Sequence, residues 1–136
     1  LESGFEKDKK SLFILEGLTM YLQPESVDET FKIIREFAGV GSKVIFDYIY
    51  ASVLRREHLY KGEKELYQSV FKEGEGFSFG IEKGSIDEFL AGYGLKALNI
   101  MDSTALTDMF FKDNKGKLLA MVNGTHCIVT AIKQEL

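Results

Sequence analysis

Apolar residues in this chain come in short unbroken runs separated by stretches with helical spacing, the alternation expected of an α/β fold. The first run lies at 12–15 and predicts a strand over about 12–16. With an apolar side chain for each face, it reads as a parallel strand covered on both sides. Pro24 then opens a helix, at the position where a missing N–H costs no hydrogen bond. Glu25, Asp28 and Glu29 sit in its opening turns, where the helix dipole favours negative charge. Val27, Phe31, Ile34 and Ala38 recur with helical period and mark one buried face, and Gly39 and Gly41 supply the stop. The run KVIFDYIY, rich in β-branched and aromatic residues, predicts a second strand over 43–50. Two strands joined by such a helix form a right-handed parallel crossover.

Beyond this unit the pattern is looser. Residues 51–73 read as one long charged helix, with Leu59, Leu66 and Val70 in an apolar line and Tyr60, Tyr67 and Phe71 beside it. Gly74-Glu75-Gly76 predicts a turn, followed by the short extended piece FSFGI at 77–81. Ser85 and Glu88 make a capping box for a helix over 85–93, whose apolar positions are Ile86, Phe89, Leu90 and Tyr93. A strand is expected at 95–101, and then a short helix capped by Asp102 or Ser103 and running to about 111. KDNKGK at 112–117 is a turn, and 118–122 is ambiguous between helix and strand. Asn123-Gly124 precedes a last strand at 125–133.

The 136 residues suit a single domain, 1–136, with 45% hydrophobic and 28% charged residues. A net charge of −4 with scattered basic residues argues against a nucleic-acid groove. Cys127 is the only cysteine, which excludes an internal disulfide and fits a reducing compartment. No apolar run approaches the ~20 residues that span a bilayer, and no signal peptide opens the chain, so a cytoplasmic location without membrane attachment is expected. His58 and His126 lie far apart without metal-ligand spacing, so no metal is expected. Cys127 reads as a buried structural thiol, and a His126-Cys127 dyad is disfavoured where a strand begins. Ser42 lacks the glycine frame of a nucleophile elbow.

Carboxylates at strand ends are the remaining chemistry. Glu16 follows the first apolar run and Asp47 lies near the end of the second, both at the carboxyl edge where open α/β sheets place ligands. Either could orient a cation or cap a loop. Tyr21 and Tyr48 could line an acceptor site, though large aromatics at such places commonly belong to the core. Gly80 could permit close approach of a ligand or simply serve a turn, and the turn is favoured.

The stretch 11–48 carries a more specific signal. Glu16-Gly17, Tyr21-Leu22, Pro24-Glu25, Gly41-Ser42 and Phe46-Asp47-Tyr48 stand in the order of a known pattern. With these motifs the chain resembles the leucine carboxyl methyltransferase-like family of S-adenosylmethionine-dependent O-methyltransferases. The resemblance implies a Rossmann-like class I methyltransferase sheet, of which this chain would be the C-terminal half. It implies about four strands, mostly parallel, with the last antiparallel strand inserted between its two predecessors. It also implies S-adenosylmethionine as cofactor, contacted by Glu16, and methyl transfer to a carboxylate or hydroxyl of a small molecule or protein. Asp47 and Tyr48 are then the catalytic candidates and Tyr21 the substrate-binding one. The aromatic FSFGI segment would lie near the mouth of the active site.

The family's glycine-rich cofactor turn and its ribose-binding acid are missing from this sequence. Together with an opening segment, 1–10, that reads as the tail of a preceding helix followed by a polar loop, that predicts a fragment inactive by itself. The alternative is a non-catalytic methyltransferase-like half domain serving protein association, with a homodimer through an exposed sheet edge.

Overall fold

The computed structural model describes residues 2–74 and 76–135. Leu1, and Glu75 of the predicted Gly74-Glu75-Gly76 turn, lie outside the described residues. Strand β1 (Leu12–Leu15) passes through a single 3-10 turn (Thr19–Tyr21) into helix α1 (Pro24–Phe37) and strand β2 (Lys43–Ile49). Helices α2 (Ala51–Leu54), α3 (Glu63–Lys72) and α4 (Ile86–Ala91) follow. Strand β3 (Leu95–Met101), helix α5 (Ser103–Phe110) and strand β4 (His126–Lys133) complete the order.

The four strands form one sheet in the order β1-β2-β4-β3. β1 and β2 pair in parallel, as the crossover predicts. β4 runs antiparallel to both its neighbours and lies between β2 and β3. The expected insertion of the last strand is therefore present. By pairing, however, the sheet is mixed, with one parallel and two antiparallel ladders, because the inserted strand opposes each strand it touches.

One face of the sheet carries the core. Val27, Phe31, Ile34 and Ala38, the face read from helical spacing, are all buried. With Ile86 and Leu90 of α4 they pack on Val44, Phe46 and Tyr48 of β2 and on Cys127, Val129 and Ala131 of β4. Phe31 is the hub, with ring centroids of Phe46, Phe89 and Tyr93 at 5.0, 5.1 and 5.3 Å. Lys133, itself buried, donates from Nζ to the carbonyls of Arg35 (2.6 Å) and Ala38, tying the last strand to the end of α1. There its charge also meets the negative end of the helix dipole.

The opposite face is largely open. Leu12 and Ile14 are 58% and 63% exposed, so the expected burial of β1 on both sides does not hold within this chain. Ile45, Ile128, Ile132 and Met101 continue that apolar face across the sheet by register.

Other departures have local causes. The single long helix expected over 51–73 is broken between α2 and α3. The buried Glu63 carboxylate accepts the backbone N–H groups of His58 (3.1 Å) and Tyr60 (3.0 Å), which curls the intervening chain over the start of α3. Leu59, expected on the apolar line, and Phe71, expected beside it, are exposed. Ser85 precedes α4 without a side-chain capping bond, so the capping box does not form. Asp102 does cap α5, accepting Ala105 N–H at 2.9 Å. Asp113 Oδ1 closes the predicted turn by accepting Lys115 and Lys117 N–H. Residues 118–122 are neither helix nor strand, and a single bridge joins Leu118 to Lys112.

Candidate functional site

The carboxyl edge of β1 and β2 is knit together by Asp47. Its Oδ1 accepts the Gly17 N–H at 2.8 Å, and its backbone carbonyl accepts the Thr19 hydroxyl at 2.7 Å. Gly17 turns with φ +58°, a conformation costly for a side-chain-bearing residue, so the Glu16-Gly17 pair makes a sharp exit from the strand. Met20 extends the same network, its carbonyl accepting Ser78 N–H (2.8 Å) and Phe79 N–H (3.3 Å). The FSFGI segment is thereby held against this edge. Gly80 serves that contact. A Cβ there would stand 2.9 Å from Ala51 Cα and 3.1 Å from the Ile49 carbonyl, so the close approach is to the chain's own backbone.

Glu16 and Asp47 do meet. Both line a cleft of about 280 Å³ on the open face, with Ile14, Ile45 and Ile128 forming its apolar floor. Glu16 is exposed, while Asp47 is half-buried. Tyr21 is 40% exposed on the 3-10 turn, its ring 5.7 Å from that of Phe77.

Tyr48 is not brought to this cleft. As the next residue along an extended strand it points to the other face, where it is buried between Phe46 and Tyr50. Burial pushes its hydroxyl pKa far up, with Cys127 adding to the effect. Cys127 is a buried free thiol whose Sγ donates to Tyr50 Oη at 3.2 Å. Among the described residues no three His, Cys, Asp or Glu side chains stand close enough to hold a metal ion.

His126 is the group that sequence reasoning missed. It pairs with Ile49 across the antiparallel ladder and joins Asp47 in a second pocket, of about 390 Å³, walled by Leu106, Phe110, Phe111 and Ile128. Burial lowers its pKa, against the opposing pull of the Asp47 charge. Asp47 thus stands between two adjoining cavities, one containing Glu16 and the other His126.

The sequence model of the leucine carboxyl methyltransferase family matches residues 1–35, the stretch holding β1, the Glu16-Gly17 turn and most of α1. Over that stretch the chain is similar to the leucine carboxyl methyltransferase family. A Mycolicibacterium smegmatis protein assigned as an S-adenosyl-L-methionine-dependent methyltransferase is 29% identical over 94 residues, covering 68% of this chain and 31% of that protein. The methyltransferase-like chain therefore spans about a third of the length of this curated relative.

Solved structures extend the likeness to the fold. A SAM-dependent methyltransferase from Methanosarcina mazei superposes with a TM-score of 0.59 at 9% identity, over 98% of this chain and 63% of its own. The 1,6-didemethyltoxoflavin-N1-methyltransferase of Burkholderia thailandensis, solved with S-adenosylhomocysteine, gives 0.52 at 8% identity, over 91% and 44%. At such identities the likeness speaks for the fold alone.

Proposed function

We propose that this chain is the C-terminal part of an S-adenosylmethionine-dependent methyltransferase and carries the acceptor side of its active site. The observation that supports this best is the acidic edge itself. Glu16 projects from a strand end whose exit turn is fixed by Asp47, on a methyltransferase-type sheet and inside the segment matched by the family model.

The residues present fit the cationic part of the cofactor. An exposed carboxylate beside an apolar floor suits the ammonium of the methionine moiety, with the sulfonium nearby. When bound, S-adenosylmethionine supplies a methyl group activated by a positively charged sulfur. Glu16 binds and orients that cationic end, which is the main help an in-line displacement needs. Asp47 acts through the loop, holding Gly17 and Thr19 so that Glu16 keeps its place. The glycine-rich turn for the remainder of the cofactor would come from a preceding half, and the present chain is not expected to turn over by itself.

The open sheet face supports that division. The accessible surface is 8573 Å², against roughly 7,200 Å² for a folded monomer of this mass. The excess exceeds one partner's ~800 Å² share of a standard interface. A preceding half of the same protein is the occupant proposed for that face, and a homodimer through the β1 edge is the second reading. Methyl transfer to oxygen, in a small-molecule or protein acceptor, and a cytoplasmic setting belong to the same proposal. Among the described residues, no helix is long and apolar enough to cross a membrane.

Calorimetry on the full-length protein tests the assignment. Glu16→Ala is expected to weaken S-adenosylmethionine binding at least tenfold while leaving the melting temperature nearly unchanged. Equal affinity in the two proteins would reject Glu16 as a cofactor ligand.

A further inference from the structure

The pocket beside Asp47 is apolar except at two points, Asp47 and His126. Hydrogen bonds around His126 decide which of its ring nitrogens carries the proton. Asn123 Nδ2 donates to the Gly62 carbonyl at 2.9 Å, which fixes the orientation of the amide. Asn123 Oδ1 then accepts the Thr125 N–H at 2.9 Å and the Thr125 hydroxyl at 2.6 Å. A hydroxyl has one proton to give, and this one is committed to Asn123. Thr125 Oγ1 can therefore only accept from His126 Nδ1, which lies 3.1 Å away. The neutral ring carries its hydrogen on Nδ1, and the lone pair is left on Nε2.

Thr125 is fully buried, so water does not compete for this relay. The pocket residue His126 is thus held as a hydrogen-bond acceptor at Nε2, among walls supplied by Phe110, Phe111, Leu106 and Ile128. Burial favours the same neutral form by lowering the pKa of the ring.

We infer that this pocket binds the methyl acceptor, that the acceptor is a hydroxyl group on an apolar or aromatic body, and that its O–H donates to His126 Nε2. The inference rests on the methyltransferase reading for its chemistry, but the pocket and the tautomer stand without it. A carboxylate acceptor is already nucleophilic and needs no base, so a built proton acceptor selects a hydroxyl. Transfer from a sulfonium methyl donor forms an O–C bond and breaks the S–C bond, whose electron pair stays on sulfur. The hydroxyl proton leaves to Nε2, giving an imidazolium that returns the proton to solvent. Asp47 faces the ring from β2, and its charge stabilises the imidazolium so formed.

The test uses nitrogen-resolved NMR of the imidazole with 2-naphthol and its methyl ether as probes. The free protein should show His126 protonated on Nδ1 and bare on Nε2. 2-Naphthol should shift the His126, Phe110 and Phe111 signals and bind at least tenfold more tightly than the ether, which has no proton to donate. His126→Phe should keep the melting temperature close to the parent and abolish that preference. Thr125→Val, which removes the relay but not the ring, should yield a mixture of tautomers and an intermediate preference. A proton on Nε2, equal binding of the two probes, or no binding of either would overturn the inference. Calorimetry with S-adenosylhomocysteine on the full-length protein reports separately on the methyltransferase reading. Naphthol selectivity without S-adenosylhomocysteine binding would sink that reading and leave a hydroxyl-binding pocket.

Discussion

The two faces of the sheet are built from alternate residues of the same strands, and they could hardly be treated more differently. On one, Phe46, Tyr48, Cys127 and Val129 are sealed under α1 and α4. On the other, Leu12 and Ile14 stand more than half exposed, with Ile45 and Ile128 beside them. Both faces are apolar, so hydrophobicity alone does not distinguish them. The difference is cover, and only the uncovered face holds the two cavities that meet at Asp47. An apolar sheet face left largely uncovered is where a partner, a preceding segment or a ligand has work to do.

The sharpest way to break this comparison is to cut into each face and compare the costs. Phe31→Ala removes the ring at the centre of the aromatic cluster and should lose about 3–5 kcal/mol in urea denaturation. A loss below about 1 kcal/mol would mean that the covered face is not where stability resides.

Acidification probes the boundary between the faces. Burial holds the pKa of His126 below its usual 6.5, against the pull of Asp47. As pH falls through that usual value the unfolded chain takes up a proton that the folded ring still refuses. This contribution to stability is therefore complete above the unfolded pKa and declines as pH drops towards the folded one. Denaturation midpoints followed from pH 7.5 to 5.5 should show this slope in the parent and a shallower one in His126→Phe. Identical slopes would place the ring in water.

The smallest effect is expected on the open face. Ile14→Ser should change the stability of this chain by about 0.5 kcal/mol or less, since the side chain is 63% exposed. In the full-length protein the same change should cost several times more if a preceding half covers the face. Equal small costs in both settings would argue that the face remains bare.

What the sequence revealed, and what it hid, follows the range of the interactions. β1, α1 and β2 were legible because apolar runs and helical spacing are local, and the strand-end acids followed from them. Even the cap at Asp102 and the turn at Asp113 were readable, each closing over a few residues. The break at 55–62 was not, because it depends on a buried carboxylate, Glu63, that looks like a surface charge in the sequence. His126 was hidden for a stronger reason. Its meeting with Asp47 requires β4 to lie antiparallel on β2 in one register across some eighty residues, and a one-residue slip would turn the ring to the other face. Tyr48 is set apart by the same alternation, since the side chain next to Asp47 on an extended strand points to the opposite face.

The insertion of β4 also governs the order in which the molecule can be made. Until residues 126–133 arrive, β2 and β3 have no common neighbour, and the carbonyls closing α1 lack the Lys133 ammonium. A ribosome still holding those residues in its exit tunnel displays a sheet with a vacant central lane. Assembly of the sheet must then wait until those residues emerge, and any chain in the cell that offers a suitable strand first could occupy the lane.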